Sequence, residues 1–319
     1  MAQALLKAVN ITKSFAGVQA LKGVSLEIMP GEVHCLAGEN GCGKSTLIKV
    51  ISGVHPRDGG TLEFNGQAMD KFTPIDAIMA GIQVIYQDFA VFPNLTVMEN
   101  LALNTELAAN RKLVSKRRMR QIAEEAIAKI DFKVDLDALV GTLSVAEKQM
   151  VAICRALMFN AKLIIMDEPT TALTRKEVKA LFEIVKKLKA EGIAILFVGH
   201  KLDEVFEIAE RFTICRSGEL IATGDIADLD DAKFTYYMTG RKFSNETFKP
   251  EKMTEEPILE LKDLTLDGYY QDINFQLKGG EILGITGLLD SGRTELALSM
   301  FGLRKATGGQ ILKSGQAVT

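Results

Sequence analysis

The sequence predicts an α/β fold in which buried parallel strands alternate with helices. Three observations lead to this class: apolar runs of strand length, helical periodicity between them, and a segment that recurs further along the chain. Several runs are apolar throughout, which is typical of strands buried on both faces of a sheet. The predicted strands are 24–28, 32–37, 82–86, 163–166 and 193–198.

The helices are predicted from apolar spacing and from capping residues. A helical run at 45–51 directly follows the strand at 32–37. Thr174 and Glu177 have the spacing of a capping box, and the apolar residues after them recur at helical spacing until Gly192 offers a stop. In a sheet wound in this way, a ligand site is expected at the carboxyl ends of the parallel strands.

Composition excludes several classes of protein. The 38 basic residues against 41 acidic ones leave a formal charge of -3, which argues against an indiscriminate nucleic-acid binder. No apolar run approaches the roughly 18 residues that cross a bilayer, and Lys7 interrupts the apolar core of any secretory signal, so we expect a cytoplasmic protein. The cysteines are scattered and form no CxxC pair, which favours reduced thiols over disulfides or a zinc site.

A repeat defines the domain organisation. Residues 241–257 are rich in charge and contain two prolines, which is typical of a linker. At an offset of 249 positions, the Gly-Glu pair at 31–32 meets an identical pair at 280–281, and further glycines coincide. We therefore expect a first domain at 1–240 and, at 258–319, the N-terminal part of a second copy with exposed apolar edges where half its sheet is absent.

A glycine-rich segment between a strand and a helix predicts a phosphate site. The segment fits the pattern GxxxxGK[ST], and we call it the phosphate loop. Glycines let backbone amides converge on phosphate oxygens, the lysine neutralises their charge, and the serine hydroxyl can ligate Mg²⁺. The alternative is a glycine-rich turn with an incidental lysine. The residues expected to bind are Gly38, Asn40, Gly41, Gly43, Lys44, Ser45 and Thr46.

Two carboxylates end the buried strand at 163–166. Asp167 is suited to holding Mg²⁺ through water, and Glu168 to polarising an attacking water. The alternative is an N-cap before Pro169. His200 follows another buried strand, where it could contact a γ-phosphate or be an ordinary surface histidine.

Taken together, these motifs resemble those of ATP-binding-cassette ATPases. Six features occur in the order and approximate spacing of that family. They are Phe15, the phosphate loop, Gln87, the segment from Leu143 to Glu147, the carboxylate pair and His200. The resemblance implies a P-loop nucleotide hydrolase cassette with a helical signature subdomain, followed by a partial second copy. It also implies ATP and Mg²⁺ as ligands.

The resemblance assigns a role to each residue. Phe15 would stack on adenine, Gln87 would sense Mg²⁺ and couple to a permease, and Ser144 would touch the γ-phosphate bound by the opposite domain. The catalytic residues would be Glu168, His200 and Lys44, and the metal would be held by Ser45, Gln87 and Asp167. From the residues alone, Phe15 could be part of the core, Gln87 a polar strand end, and Ser144 a helix cap.

Departures from the family pattern narrow the resemblance. In the first copy, Val145 and Ala146 replace the two glycines of the family's LSGGQ signature, and Thr174 replaces a usual aspartate. In the second copy, Arg293 replaces the phosphate-binding lysine, and Asp290 lies within the loop that would surround the phosphate. This combination is similar to the ATPase subunits of simple-sugar importers for ribose, galactose or xylose.

The implied function is hydrolysis of MgATP to drive monosaccharide import. The partners would be integral-membrane permease subunits, docked through residues 87–93 unless that segment is simply a buried loop, and indirectly a sugar-binding protein. A second cassette would complete the full-length chain, no nucleic acid would bind, and the protein would lie at the cytoplasmic face of the inner membrane. A tandem cassette acting on ribosomes is the alternative, although such proteins have a long charged linker and two intact phosphate loops. A DNA-repair cassette is disfavoured by the missing zinc cysteines.

Overall fold

The computed structural model describes residues 3–88, 90–108, 115–242, 253–287 and 291–318. By its packing the chain divides into two compact units, Met1–Phe243 and Ser244–Thr319. Most of the predicted linker lies outside the described ranges, as does Asp290. Among the helices of the described ranges, none combines the length and apolar character needed to cross a membrane.

The first unit contains both parallel and antiparallel strands. Its strands are β1 (Leu6–Phe15), β2 (Val18–Ile28), β3 (Val33–Ala37), β4 (Gly59–Phe64), β5 (Gln67–Ala68), β6 (Ile82–Ile85), β7 (Leu163–Asp167), β8 (Ala194–Gly199), β9 (Arg211–Arg216) and β10 (Glu219–Asp225). Its helices are α1 (Lys44–Ile51), α2 (Pro74–Ala80), α3 (Val97–Ala108), α4 (Lys116–Ala128), α5 (Val145–Leu157), α6 (Arg175–Ala190), α7 (Leu202–Ile208) and α8 (Asp231–Thr239).

A six-stranded sheet of order β10-β9-β3-β8-β7-β6 forms the centre of this unit. The five strands from β9 to β6 run parallel, and β10 joins the edge antiparallel to β9. Side chains on β8 alternate between two hydrophobic clusters: Phe197 packs with α5 and α6 residues, whereas Leu196 packs with α1 residues. The apolar strands are therefore buried on both faces, as the sequence predicts.

A second sheet, of order β2-β1-β4-β5, is antiparallel and adjoins α1. Its first two strands form a hairpin whose turn contains Ala16 and Gly17, both with positive φ. This hairpin supplies Ala20, which lies against the phosphate loop. The antiparallel sheet thus brings the end of β1 to the same part of the unit as the end of β3.

Helices α3, α4 and α5 pack against one another. Helix α5 begins after Ser144, which is a helix cap as the residues alone suggest. The Ser144 hydroxyl accepts from the backbone N–H of Glu147, and the Glu147 carboxylate accepts from that of Ser144, so the two residues form a capping box. The same reciprocal cap joins Thr174 and Glu177 at the start of α6. Both predicted helix starts are confirmed, because each cap satisfies amide groups that a helix leaves free. The four cysteines are free thiols, all buried.

The second unit contains a four-stranded antiparallel sheet and one helix within its described residues. Its elements are β11 (Pro257–Leu266), β12 (Tyr270–Lys278), α9 (Arg293–Met300), β13 (Gly308–Lys313) and β14 (Gln316–Val318), in the sheet order β12-β11-β13-β14. Leu261, Leu264 and Leu296 form its small core. Residues 281–287 are not assigned to a strand, and Ile282 is 75% exposed.

Candidate functional site

The phosphate loop joins β3 to α1, and its backbone is too closely surrounded for side chains at two positions. A Cβ atom at Gly38 would stand 2.3 Å from Cys42 Sγ and 2.4 Å from the carbonyl oxygen of Cys215. Gly43 precedes α1 with a φ of 106°, and a Cβ atom there would lie 2.7 Å from the Ala20 carbonyl oxygen. Both positions require glycine, so the loop can present its amides and the helix N terminus to an anion.

Lys44 is 6% exposed and folds its side chain back onto this loop. Its Nζ donates to the carbonyl oxygens of Gly38 at 2.6 Å and Glu39 at 3.1 Å. These carbonyl groups satisfy hydrogen bonds of the ammonium group but carry no net negative charge. This arrangement suits a phosphate group, which would supply the opposite charge.

Asp167 ends β7 and lines the same cavity as Lys44. Burial raises the pKa of this carboxyl group, and the like charge of Glu168 raises it further, against the opposing influence of Lys44 and Lys49. A bound cation would favour the charged form of such a carboxylate. Asp167 is therefore placed to gain from a metal ion.

Glu168 follows with an unusual backbone. Its φ is 47°, in the left-handed region that costs a non-glycine residue conformational energy, and its N–H donates to the Val198 carbonyl oxygen at 3.0 Å. Its carboxylate Oε1 lies 3.3 Å from His200 Nδ1, and its Oε2 accepts from the Thr171 hydroxyl at 3.3 Å. The strained residue thus joins the ends of two neighbouring parallel strands.

A cavity of about 400 Å³ lies where these elements meet. Its lining combines backbone of the β1–β2 hairpin, the phosphate loop and the ends of β6 and β7. The lining residues are Ala20, Asn40, Gly41, Gly43, Lys44, Ser45, Thr46, Gln87, Asp167 and Glu168. Nine of the residues that the sequence singles out are therefore brought together, although they come from segments more than 120 positions apart.

The remaining predicted residues lie outside the cavity lining. Gly38 is at the base of the loop, and His200 reaches the site through Glu168. Phe15 is at the end of β1 and 39% exposed, so it is not a core residue. Ser144 caps α5 and is not among the lining residues. The structure places Phe15 and Ser144 on the surface, accessible to a ligand or a partner.

The donor set of the cavity fits a magnesium ion. Ser45, Gln87 and Asp167 contribute one hydroxyl, one amide and one carboxylate to its lining. Within the described ranges, no group of three or more His, Cys, Asp or Glu side chains is arranged to hold a metal by itself. Mg²⁺ usually takes only one or two protein ligands and completes its shell with water and substrate phosphates, so the sparse oxygen set is compatible with it.

Three residues that the sequence does not single out support the Glu168–His200 pair. The buried Thr170 hydroxyl donates to Glu204 Oε2. Lys201 Nζ donates to Glu204 Oε1 at 3.0 Å and to the Thr170 carbonyl oxygen at 3.3 Å. These contacts tie the segment after Glu168 to the segment after His200. Thr170, Lys201 and Glu204 carry no motif, so only their contacts reveal them.

Comparison with known proteins agrees with this geometry. A family model described as "ABC transporter" matches residues 21–171. A putative ribose/galactose/methyl galactoside import ATP-binding protein of Pseudomonas fluorescens is 40% identical over 98% of this chain and 61% of its own length. The ribose import ATP-binding protein RbsA of Bacillus subtilis is 38% identical over 96% of this chain and 62% of its own length. The chain thus spans about three fifths of these curated relatives.

Solved structures of ATP-binding cassettes also match this chain. A nucleotide-free ATP-binding cassette from an ABC transporter aligns with a TM-score of 0.63 and 30% identity, over 70% of this chain and 92% of the other. A dimeric ATP-binding cassette bound to ADP and Pi, in a post-hydrolysis state, aligns with a TM-score of 0.62 and 26% identity, over 69% of this chain and 98% of the other. Because fold, motifs and nearly the whole of these cassettes are shared, the chain belongs to the ATP-binding cassettes of ABC transporters.

Proposed function

We propose that this chain binds MgATP and hydrolyses it, and that in the complete protein hydrolysis drives the import of a simple sugar. The observation that carries the proposal is the cavity in which the phosphate loop, Lys44, Asp167 and Glu168 converge. The relatives are named as ribose and galactose import ATP-binding proteins, which supports a simple sugar as the solute.

Each residue of the cavity has a distinct chemical task. The loop amides and Lys44 hold the phosphate oxygens, and Glu168 accepts a proton from the attacking water. His200, in contact with Glu168, orients that carboxylate and would contact the γ-phosphate of a bound nucleotide. When bound through Ser45, Gln87 and Asp167, Mg²⁺ would neutralise charge on the phosphates.

Two variants separate binding from hydrolysis. Lys44→Ala removes the buried cation, so nucleotide affinity measured by calorimetry should fall sharply. Glu168→Gln keeps the shape of the side chain but removes the base, so ATP should still bind while phosphate release by the assembled transporter stops. Wild-type turnover by Glu168→Gln would contradict the assignment of the base.

We infer further that 258–319 is the N-terminal part of a second cassette in the same chain. Its sheet has the order β12-β11-β13-β14, which corresponds strand by strand to the order β2-β1-β4-β5 of the antiparallel sheet in the first unit. Helix α9 begins after Gly292 with φ 80°, as α1 begins after Gly43 with φ 106°. Arg293 occupies the position of Lys44, so the two ATP sites of the complete protein should be unequal.

Single-turnover hydrolysis by the intact transporter tests this inequality. One ATP in each pair of cassettes should be hydrolysed fast, at the site built from Lys44, Glu168 and His200. Two equivalent fast sites would show that Arg293 and the altered signature at 145–146 do not disable the other site.

An apolar groove in the first unit is the proposed docking surface for a permease. It has a volume of about 550 Å³ and is lined chiefly by apolar residues of α2, β6 and α5. Met79 is 73% exposed at this groove. Part of the predicted docking segment 87–93 borders it through Ala90, whose carbonyl oxygen accepts from Arg155 at 2.6 Å. Phe89, in the same segment, lies outside the described residues.

Docking through this groove would place the protein at the cytoplasmic face of the inner membrane, with a sugar-binding protein acting only through the permease. Met79→Asp introduces a charge into the groove and should prevent co-purification with the permease, while ATP affinity stays unchanged. Glu63→Gln, an exposed change on β4, is a control that should keep both properties. Undiminished co-purification of Met79→Asp would rule out this surface.

A further inference from the structure

The end of β1 carries an exposed aromatic ring with two supporting side chains. The Phe15 ring meets the His55 ring edge-on, with centroids 5.1 Å apart and an interplanar angle of 67°. Lys13 Nζ lies 5.4 Å from the centroid of the Phe15 ring, within range of a cation–π contact. These neighbours restrict the ring although it is partly in solvent.

Asp58, in the segment that follows α1, fixes the backbone beneath this ring. Its Oδ1 accepts from Lys13 Nζ at 2.8 Å, and its Oδ2 accepts from the backbone N–H of Ser14 at 2.6 Å. Its own N–H donates to the Thr12 carbonyl oxygen at 2.9 Å. One aspartate therefore holds three consecutive residues immediately before Phe15.

The second unit contains a related arrangement built from different side chains. Tyr269 is 47% exposed, and the Arg304 guanidinium lies 4.3 Å from its ring centroid. The N–H of Thr307 donates to the Thr265 carbonyl oxygen at 2.8 Å, and its hydroxyl accepts from the N–H of Asp267 at 3.1 Å.

The supporting side chains keep the repeat offset, whereas Tyr269 follows Phe15 by 254 positions and Thr265 follows Thr12 by 253. Arg304 and Thr307 follow His55 and Asp58 by the 249 positions of the sequence repeat. Asp58 and Thr307 make the same two kinds of hydrogen bond: the side chain accepts from a backbone N–H, and the residue's own N–H donates to a carbonyl oxygen. The feature common to both units is therefore the fixed backbone before the aromatic residue, and not a particular ion pair. An exposed ring held in this way is suited to stacking on a planar base.

We propose that Asp58 is a positioning residue for base recognition: by fixing residues 12–14 it holds Phe15 where the adenine of ATP stacks. This inference rests on the proposed function, because it requires that the cavity bind ATP. It predicts that Asp58 contributes to affinity for the base and not to affinity for the phosphates, which would bind at the phosphate loop.

Calorimetry with two ligands tests the division between base and phosphates. MgATP carries both parts, whereas magnesium tripolyphosphate carries only the phosphates. Asp58→Ala should weaken MgATP binding roughly tenfold, in line with the usual contribution of one base stack, and leave tripolyphosphate binding unchanged. Asp58→Asn, which keeps an acceptor for the Ser14 N–H but loses the charge that pairs with Lys13, should show a smaller loss.

The matched control is Asp70→Asn. Asp70 is also an exposed aspartate in an ion pair, with Arg57 at 2.7 Å, but it has no bond to β1. The Asp70→Asn variant should leave both affinities unchanged.

A fluorescent reporter adds a second measurement. The chain has no tryptophan, so Phe15→Trp introduces a single one whose emission should change on ATP binding. Adding Asp58→Ala to that variant should reduce this change at saturating ATP.

The outcomes separate the inference from the proposed function. If the wild type binds neither ligand, the proposed function fails and the inference fails with it. If the wild type binds both, and Asp58→Ala weakens both equally or neither, only the inference is wrong. A selective loss of ATP affinity with unchanged tripolyphosphate affinity supports it.

Discussion

The contact between Thr170 and Glu204 is expected to hold Glu168 in its catalytic conformation. Glu168 has a left-handed backbone, which costs a residue of this type about 1–3 kcal/mol, and it precedes Pro169, which restricts it further. Such a conformation persists only where the surroundings impose it. Thr170 is 3% exposed, and its hydroxyl donates to Glu204. This bond fixes the chain two residues beyond Glu168.

Thr170→Val removes this hydrogen bond with little change in volume. A hydrogen bond to a charged group contributes about 1.5–3 kcal/mol, which is comparable to the strain that it opposes. Since about 1.4 kcal/mol corresponds to a factor of ten in population, kcat for ATP hydrolysis should fall roughly ten- to a hundredfold. ATP affinity should not change, because Thr170 does not line the cavity.

Phosphate release by the assembled transporter gives kcat, and calorimetry on the same preparation gives affinity. Glu204→Gln keeps an acceptor oxygen for the threonine and should lose less activity than Thr170→Val. Glu207→Gln, an exposed change on the same helix α7, is the control and should behave as the wild type. An unchanged kcat for Thr170→Val, or a parallel loss of ATP affinity, would refute the link between this contact and the conformation of Glu168.

Three further predictions concern the phosphate loop, the buried sheet and a helix cap. Gly38→Ala should abolish ATP binding in calorimetry, because the new Cβ meets the backbone carbonyl of Cys215; Gly224→Ala, whose Cβ would have only ordinary contacts, is the control. In the buried network, burial raises the pKa of Glu32, but hydrogen bonds from His34 and from the Met29 N–H, with the charge of Arg211, leave it lowered overall. Glu32→Gln should therefore reduce the free energy of unfolding by about 1.5–3 kcal/mol at neutral pH, measured in urea, with Glu63→Gln near zero. A carboxylate with a lowered folded pKa stabilises the protein above its unfolded pKa, so the difference should shrink as the pH falls below the ordinary value of 4.5, and a constant difference would contradict the assignment. Ser144→Ala should lower stability by about 1 kcal/mol through loss of the α5 cap, whereas Ser144→Asp keeps the cap. If Ser144→Asp also retained full hydrolysis in the transporter, a γ-phosphate contact by the serine hydroxyl would be excluded.

Local patterns in the sequence predict the phosphate loop and two of the helix starts of the first unit. The phosphate loop depends on glycines at fixed spacing between a strand and a helix, and the structure shows steric reasons for two of them within a few ångströms. Helix starts at Ser144 and Thr174 depend on contacts three residues apart, so the capping boxes predict them correctly. Apolar runs predict the parallel strands β3, β6, β7 and β8 because burial on both faces favours apolar side chains, whereas the parallel strand β9 is not among the predicted strands.

Contacts between distant segments follow from the tertiary fold alone. Glu168 and His200 are brought together because β7 and β8 are neighbours in the sheet. The sequence of neither strand predicts that the two are adjacent. The bonds of Asp58 to the end of β1 and of Glu204 to Thr170 likewise join residues with no common motif. A side chain that only holds another residue in place needs to reach its hydrogen-bond partner, and several residue types can do so. Thr307, which stands at the position of Asp58 in the second unit, is an example.

The repeated segments at 33–37 and 282–286 show most directly what a sequence leaves undecided. Both are largely apolar and follow a Gly-Glu pair at the repeat offset. In the first unit the segment is β3, buried between β8 and β9. In the second unit it is not a strand, and Ile282 and Ile285 are exposed. A central parallel strand obtains its hydrogen bonds and its burial from neighbouring strands, so an apolar pattern specifies the capacity to form one, and only the tertiary structure supplies the partners.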